Sequence, residues 1–354
     1  MKNIENKMNK LPKQIALTLI TALGLSGCAQ QLPLGFAPGL SSSPSGTSGP
    51  GGTGGTPVAL RQVDMLMVEA VAPSVRNNYA DINPTNVNMI NYPDPNDDGW
   101  LDDAYLRNYI QSNFSPSFSG IMVIDWEGVG MQRLFSNVGS PTQIQQIQEY
   151  VRAIQVIKSV CPNAKVGYYA LPSRAYWNRN STWQALNSSL APIFEASDAL
   201  FPSVYTFYKE GVDPTPAGEN IAYIEDNMRE ALRLANGKPV YPFFWHRFHN
   251  ANANFGMMSV PSSQFRAGLA AALNVSLSGK TIAGLVWWGA DTYYASYAVA
   301  HSSPSDPAYT FSMMILNAYA SEKLPGETDS VYINRIHDRV FGDFRATIRA
   351  AQGL

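Results

Sequence analysis

Ile121-Met122-Val123-Ile124-Asp125-Trp126-Glu127 is the stretch from which the reading of this chain starts. Four apolar residues in a row fit a strand buried on both faces, the kind a parallel sheet uses. Asp125 and Glu127 close the run at positions i and i+2, and on an extended chain such residues point the same way. In barrels built from parallel strands, chemistry sits at the C-terminal strand ends. Two carboxylates sharing a partly apolar mouth cannot both ionise easily, so one keeps its proton near neutral pH. A protonated carboxyl beside an ionised one is what cleavage of a glycosidic bond requires. The competing reading is a salt-bridged pair capping a strand, and Arg133 is the basic residue near enough in sequence to serve it.

Working outward, further strands are predicted over 63–70, 86–92, 120–127, 165–170, 200–205, 240–245 and 283–288. Amphipathic stretches separate them. Ser140 to Val160 opens with Ser140 as N-cap, Pro141 in the first turn and Gln143 in capping-box position. Ile144, Ile147, Val151, Ile154 and Ile157 then mark one helical face. A second helix, near Glu219 to Asn236, stops at Gly237. Two more, about 306–322 and 331–351, close the domain. Alternating strands and helices imply a parallel sheet. The fold class is therefore α/β: a distorted parallel (β/α) TIM-like barrel of seven to eight strands. No phosphate-binding glycine fingerprint follows the first strand, which argues against a nucleotide fold.

The barrel domain is assigned to 58–354 because the segments before it read otherwise. Lys2, Lys7, Lys10 and Lys13 precede an apolar run from Ile15 to Leu25 and then Leu25-Ser26-Gly27-Cys28. A basic segment, a short apolar core and small residues are the parts of a secretory signal. The Leu-Ser-Gly-Cys ending resembles the bacterial lipobox, which implies cleavage before Cys28 and its acylation. Residues 1–28 are thus read as a lipoprotein signal, and the membrane as a partner through that lipid. Residues 29–57, rich in Gly, Ser, Pro and Thr, are read as a tether too poor in apolar side chains to fold. The expected location is the cell envelope, at the outer membrane or cell surface.

Charged residues are only 15% of the chain and no Lys/Arg run stands out, so nucleic acid is not an expected partner. The two cysteines make no disulfide framework, and Cys161 is read as structural. Asp94-Pro95-Asn96-Asp97-Asp98-Gly99 with Asp102 opens like a calcium loop, but Tyr105 stands where the bidentate Glu belongs. His246 and His249, three apart after a strand, read as polar lining, and no metal is assigned. Aromatic residues recur at the strand ends: Tyr168 and Tyr169 with Tyr176 and Trp177, Tyr205, Trp245 beside Arg247, and Trp287 with Trp288 before Asp291. Aromatics around an acidic pair fit sugar subsites, with an aromatic-rich core as the plainer reading.

Taken in order, these segments resemble the hyaluronidases of glycoside hydrolase family 56. The motifs are Phe118-Ser119-Gly120 with Val123-Ile124-Asp125-Trp126-Glu127, Gly167-Tyr168-Tyr169 with Pro172, Tyr176 and Asn178, and Phe201-Pro202-Ser203-Val204-Tyr205. They continue with Arg229-Glu230-Ala231-Leu232-Arg233, Val240 to Trp245, and Gly284 to Gly289. The resemblance implies a retaining, substrate-assisted hydrolase of N-acetylhexosamine-containing polysaccharide, needing no cofactor. Glu127 would be the acid and base, Asp125 would orient the substrate's N-acetyl group, and Tyr205 would hydrogen-bond near it. Trp288 would wall the pocket. Tyr168, Tyr169, Tyr176, Trp245, Arg247 and Asp291 are taken as substrate-binding, and the chain as a monomer.

The sequence departs from the family in several ways: Gly128-Val129-Gly130-Met131 stands where a Trp-Arg-Pro-like segment is usual, Phe248 where a tyrosine is, the disulfides of animal members cannot form, and the loop between the second strand and the helix near residue 105 is short. Two alternatives follow. One is a family 18 chitinase-like hydrolase, which also ends a strand in Asp-Trp-Glu but has upstream aspartates where Ile121 and Val123 stand here. The other is a carbohydrate-binding lipoprotein without turnover.

Overall fold

Strands β1 (Asp64–Val68), β2 (Thr85–Asn91), β3 (Ile121–Asp125), β4 (Lys165–Tyr168), β5 (Phe243–Phe244) and β6 (Gly284–Trp287) form one sheet in a computed structural model. The structure describes residues 64–68, 85–91, 93–256, 258–288, 313, 316–317 and 319–352. Cys28, the 1–28 leader, the 29–57 tether, Asp291 and most of the predicted 306–322 helix lie outside the described residues. The strand order is β4-β3-β2-β1-β6-β5, and every pairing is parallel. Helices intervene along the chain: α1 (Asp103–Asn113), α2 (Gly128–Leu134), α3 (Pro141–Val160), α4 (Ser181–Ser189), α5 (Ala191–Ala196), α6 (Glu219–Leu234), α7 (Ser262–Asn274) and α8 (Asp329–Gln352).

The stretch predicted as a strand over 200–205 forms only single bridges. Tyr169 pairs with Phe201, Leu200 with Val240 and Ser203 with Phe243, all parallel. This segment therefore lies between the two edge strands β4 and β5. Its ladder is interrupted for a chemical reason: Pro202, and Pro242 opposite, have no N–H to give. The carbonyls of both prolines still accept, from Phe243 and Val286. Gly167 admits the segment to β4, since a Cβ there would meet the Ala199 carbonyl and lie 2.7 Å from the Phe201 ring.

Helix α3 backs β3 and shows why its own face differs from the predicted one. Ser140 accepts from Gln143 N at 3.2 Å, but the Gln143 carbonyl reaches Gly139 N at 2.8 Å, one residue before the N-cap. Its amide nitrogen spans to the Leu134 carbonyl and Ser189, so a polar residue is buried on the helix face. The buried stripe runs Gln143, Gln146, Ile147, Tyr150, Ala153, Ile154 and Ile157, while Ile144 is 49% exposed. Met122, Val123 and Ile124 of β3 are fully buried, as a strand covered on both faces must be. Helix α6 ends as read from sequence, in left-handed Asn236 and Gly237.

Candidate active site

Strand β3 stops at Asp125, and the chain stays extended through Glu127, the N-cap of α2, at φ −97° and ψ −152°. Trp126 between them turns the other way. It is buried and stacks on Tyr150 of α3 at 4.6 Å with the rings 2° from parallel. The Tyr150 hydroxyl donates to the Trp126 carbonyl at 2.7 Å. This clamp fixes the alternation that sends Asp125 and Glu127 to the opposite face. In the sheet register Asp125 lies beside Asn91 of β2.

Gly128 lets the chain leave the site. Its φ is +64°, and a Cβ would run into the Asp97 carboxylate. That carboxylate accepts from Val129 N at 3.0 Å, satisfying a donor in the first turn of α2. Asp94 accepts from Gly99 N and Asp98 N at 2.6 and 3.2 Å, and Asp102 caps α1. The 94–102 carboxylates thus spend their oxygens on backbone N–H groups and brace the exit from Glu127. Among the described residues no three His, Cys, Asp or Glu side chains converge so as to hold a metal ion.

Asp125 Oδ1 is buried and meets no hydrogen-bond donor among the described residues. Burial pushes the Asp125 carboxyl up to about 7. Glu127 is half-buried, and its charge is felt at the Tyr169 hydroxyl. Burial, opposed by Arg174 and aided by Glu127, pushes Tyr169 up to about 12. Tyr205, also buried, lies beside Tyr169 with ring centroids 6.2 Å apart, and burial, aided by Tyr169 and Asp125, raises its hold on its proton. Two carboxylates and two protonated phenols thus share one apolar, hydrogen-bonded mouth.

Three further groups join this cluster that the sequence did not single out together. Arg174 donates to Ser203 Oγ at 2.6 Å and contacts His249 Nε2 at 2.9 Å, with Phe207 5.2 Å beneath the guanidinium. Tyr169 donates to the same Ser203 Oγ at 3.4 Å. The loop carrying Arg174 is held by amides that imitate backbone. Asn187 exchanges hydrogen bonds with Ser173, and Asn227 with Ala175. Arg179 then pins the loop to α6 through Glu219 and Asp226 at 2.7 and 2.9 Å. The signal was local only in part: Arg174 stands two residues before the aromatic pair Tyr176-Trp177, but its partners come from 29 and 75 residues away.

The remaining sequence-named residues divide by face. Tyr169, Tyr205 and Trp245 converge, with Trp245 5.6 Å from Tyr205. Tyr176 lies on the same loop as Arg174 and donates to Asn220 at 2.8 Å, among Trp177, Tyr208 and Tyr223. Trp288 is buried directly after β6, where its N–H donates to the Phe244 carbonyl. Arg247 is fully buried beyond β5. Tyr168 departs from the expectation. Its hydroxyl donates to the Tyr150 carbonyl at 2.7 Å and its ring packs on Tyr150, on the helix side of the sheet. Adjacent strand residues face opposite ways, so Tyr168 and Tyr169 cannot both line one mouth. His246 likewise faces outward, to Trp287 Nε1 at 3.1 Å and Phe344 of α8. Phe248 is buried against Phe255. Cys161 is buried and donates to the Ser115 carbonyl.

No protein-family model matches the chain. Over 109 residues it is 28% identical to a hyaluronidase of Apis mellifera, a stretch covering 27% of this chain and 27% of that protein. The chain therefore matches well under two thirds of the length of that curated relative. The crystal structure of bee venom hyaluronidase in complex with a hyaluronic acid tetramer superposes with a TM-score of 0.50 at 14% identity, covering 70% of this chain and 98% of the other. A monoclinic crystal structure of bee venom hyaluronidase gives a TM-score of 0.49 at 15% identity, over 77% and 100%. The fold of this chain, α/β with parallel strands, is hyaluronidase-like.

Proposed function

We propose that the chain is a glycoside hydrolase of N-acetylhexosamine-containing polysaccharide, with the sheet and the 200–204 segment closed into a distorted seven-stranded barrel. The observation that carries the reading is Asp125: a carboxyl with a buried, partnerless Oδ1 and a raised affinity for its proton, two residues before Glu127 at the C-terminal end of a parallel strand. Such a pair, with affinities set apart by environment, suits acid–base work on a glycosidic oxygen. In this reading the proton held by the pair passes from Asp125 to Glu127 as substrate binds, and Glu127 gives it to the leaving oxygen while the substrate's own amide oxygen bonds to the anomeric carbon. Asp125, left ionised, accepts the amide N–H and offsets the positive charge that develops. Water then attacks the anomeric carbon, returns a proton to Glu127 and opens the ring formed by the amide. Tyr205 and Tyr169 line the amide pocket, and Trp245 and Trp288 wall it. The same reading places the enzyme at the cell envelope through a lipidated Cys28.

The buried Phe248 and the glycine-rich start of α2 favour a second reading, a carbohydrate-binding barrel without turnover. Reducing-end release by the full chain separates the two, with hyaluronan, chondroitin, chitin oligomers and peptidoglycan glycan as substrates. Release that Glu127→Gln lowers on the order of a thousandfold or more supports the hydrolase and names its polymer. Binding to one of these polymers with no release from any supports the second reading.

A further inference from the structure

We propose that Arg174 is a positioning residue of this site: its guanidinium ties Ser203 to His249 and, through Ser203, sets the Tyr169–Tyr205 hydroxyl pair beside Asp125. The inference rests on the hydrolase reading for its kinetic consequence, but the tie itself is independent of that reading.

The geometry is a chain of contacts across four segments. Arg174 comes from the loop after β4, Tyr169 from the end of β4, Ser203 and Tyr205 from the bridging segment, and His249 from the loop after β5. Arg174 and Tyr169 both donate to Ser203 Oγ, at 2.6 and 3.4 Å. The Tyr169 and Tyr205 rings lie side by side, centroids 6.2 Å apart, and each hydroxyl raises or lowers the other's hold on its proton. A guanidinium can only donate, so its contact with His249 makes Nε2 the acceptor. The backbone N–H of Ala251 points at Nδ1 from 3.1 Å. A neutral ring accepts at one nitrogen only, so one of these two donors faces its single N–H; a ring protonated on both nitrogens would meet a donor on each side with no acceptor left, which disfavours the charged form, and burial and the Arg174 charge act in the same direction. Phe207 stacks on the ring at 4.4 Å and completes the enclosure.

The ionisable groups around Arg174 come from every packed element. They are Tyr169 just after β4, Tyr205 of the bridging segment, Tyr223 of α6 and His249, and the Arg174 charge lowers the proton affinity of all four. Asp125 and Glu127 stand behind the two mouth tyrosines. Arg174 thus touches the carboxylates' tyrosine neighbours through Ser203, and its loop is immobilised by Asn187, Asn227 and the Arg179 ion pairs.

The test compares the full chain with Arg174→Gln, Arg174→Lys and Ser203→Ala. Kinetics on hyaluronan, or whichever polymer is cleaved, give kcat, KM and the pH profile. Arg174→Gln is expected to lower kcat on the order of a hundredfold, the scale of a small misplacement of catalytic groups, with KM nearly unchanged. Arg174→Lys, which keeps the charge but loses the fork, restores part of it. Ser203→Ala lowers kcat while leaving His249 as it was. The second readout is imidazole NMR, simple in a chain with four histidines, assigned with His249→Asn. In the wild type the His249 ring titrates well below the ordinary imidazole range, held there by burial and then by the Arg174 charge. In Arg174→Gln its midpoint moves up. Unchanged kcat with KM raised instead, or a His249 ring that Arg174→Gln leaves unmoved, overturns the inference. If the wild type cleaves nothing, the hydrolase reading has failed, and the ring titration alone decides whether the tie exists. Should Arg174→Gln not fold, Arg174→Met takes its place in both readouts, and Arg174→Lys and Ser203→Ala still carry the kinetic one.

Discussion

Replacing Asp125 with Asn should make the protein more stable, and more so as pH rises. A carboxyl held at about 7 in the folded protein, against an ordinary 3.8, keeps a proton that the unfolded chain has already released. Between those values the folded state binds more protons, so its stability falls as pH rises. The penalty is absent below the unfolded value and complete above the folded one. At about 1.36 kcal/mol per pH unit, it amounts to about 4 kcal/mol at most. Water reaching the mouth, where Asp125 is half-buried, reduces this to about 2 kcal/mol or a little more. Asn is close to the same shape and carries no such titration. Urea denaturation of both proteins from about pH 4 to about pH 8 isolates the carboxylate pair, because the titrating groups remote from it cancel in the difference. The variant should match the wild type at the acid end and exceed it by about 2 kcal/mol at the alkaline end, with reducing-end release abolished. A difference that is flat across this range, or that shrinks toward high pH, would refute the claim that burial raises Asp125.

Two further comparisons probe the frame around the pair. Gly128→Ala and Gly139→Ala both force a side chain onto a left-handed residue, which costs about 1–2 kcal/mol, but only the first also displaces Asp97 from Val129 N. Gly128→Ala should therefore be about 1–3 kcal/mol worse in thermal or urea unfolding, and equal losses would show that Asp97 does not brace this turn. Tyr168→Phe removes the hydrogen bond to Tyr150 and should cost about 1 kcal/mol of stability while leaving turnover intact. Tyr169→Phe should do the reverse, lowering kcat with little change in the melting temperature; matching effects would mean the two rings do not face opposite sides.

The β3 carboxylates were legible because the signal is local. An apolar run ending in two acids at i and i+2 needs only strand alternation to place them together, and the Trp126 stack on Tyr150 supplies that alternation. The rest was less legible. Which of Tyr168 and Tyr169 faces the mouth depends on where α3 packs, and that information sits on Tyr150, eighteen residues upstream. The predicted stripe on α3 was offset because Gln143 and Gln146 take buried positions that hydrophobic spacing alone assigns to isoleucines. The Pro202 and Pro242 positions reduced predicted strands to bridges, since pattern reading weighs side chains and not the missing N–H.

The sequence by itself determined the alternation of strands and helices, the parallel sheet and the acidic pair, because each follows from spacing along a short stretch of chain. Only the tertiary structure decided that Arg174, Ser203, His249 and Tyr169 form one hydrogen-bonded network, with Tyr205 packed beside it, next to that pair. Their partners are separated by up to 75 residues. Contacts of that kind exist only after the sheet has brought the ends of distant strands to one face, and no local pattern encodes which side chains will meet there.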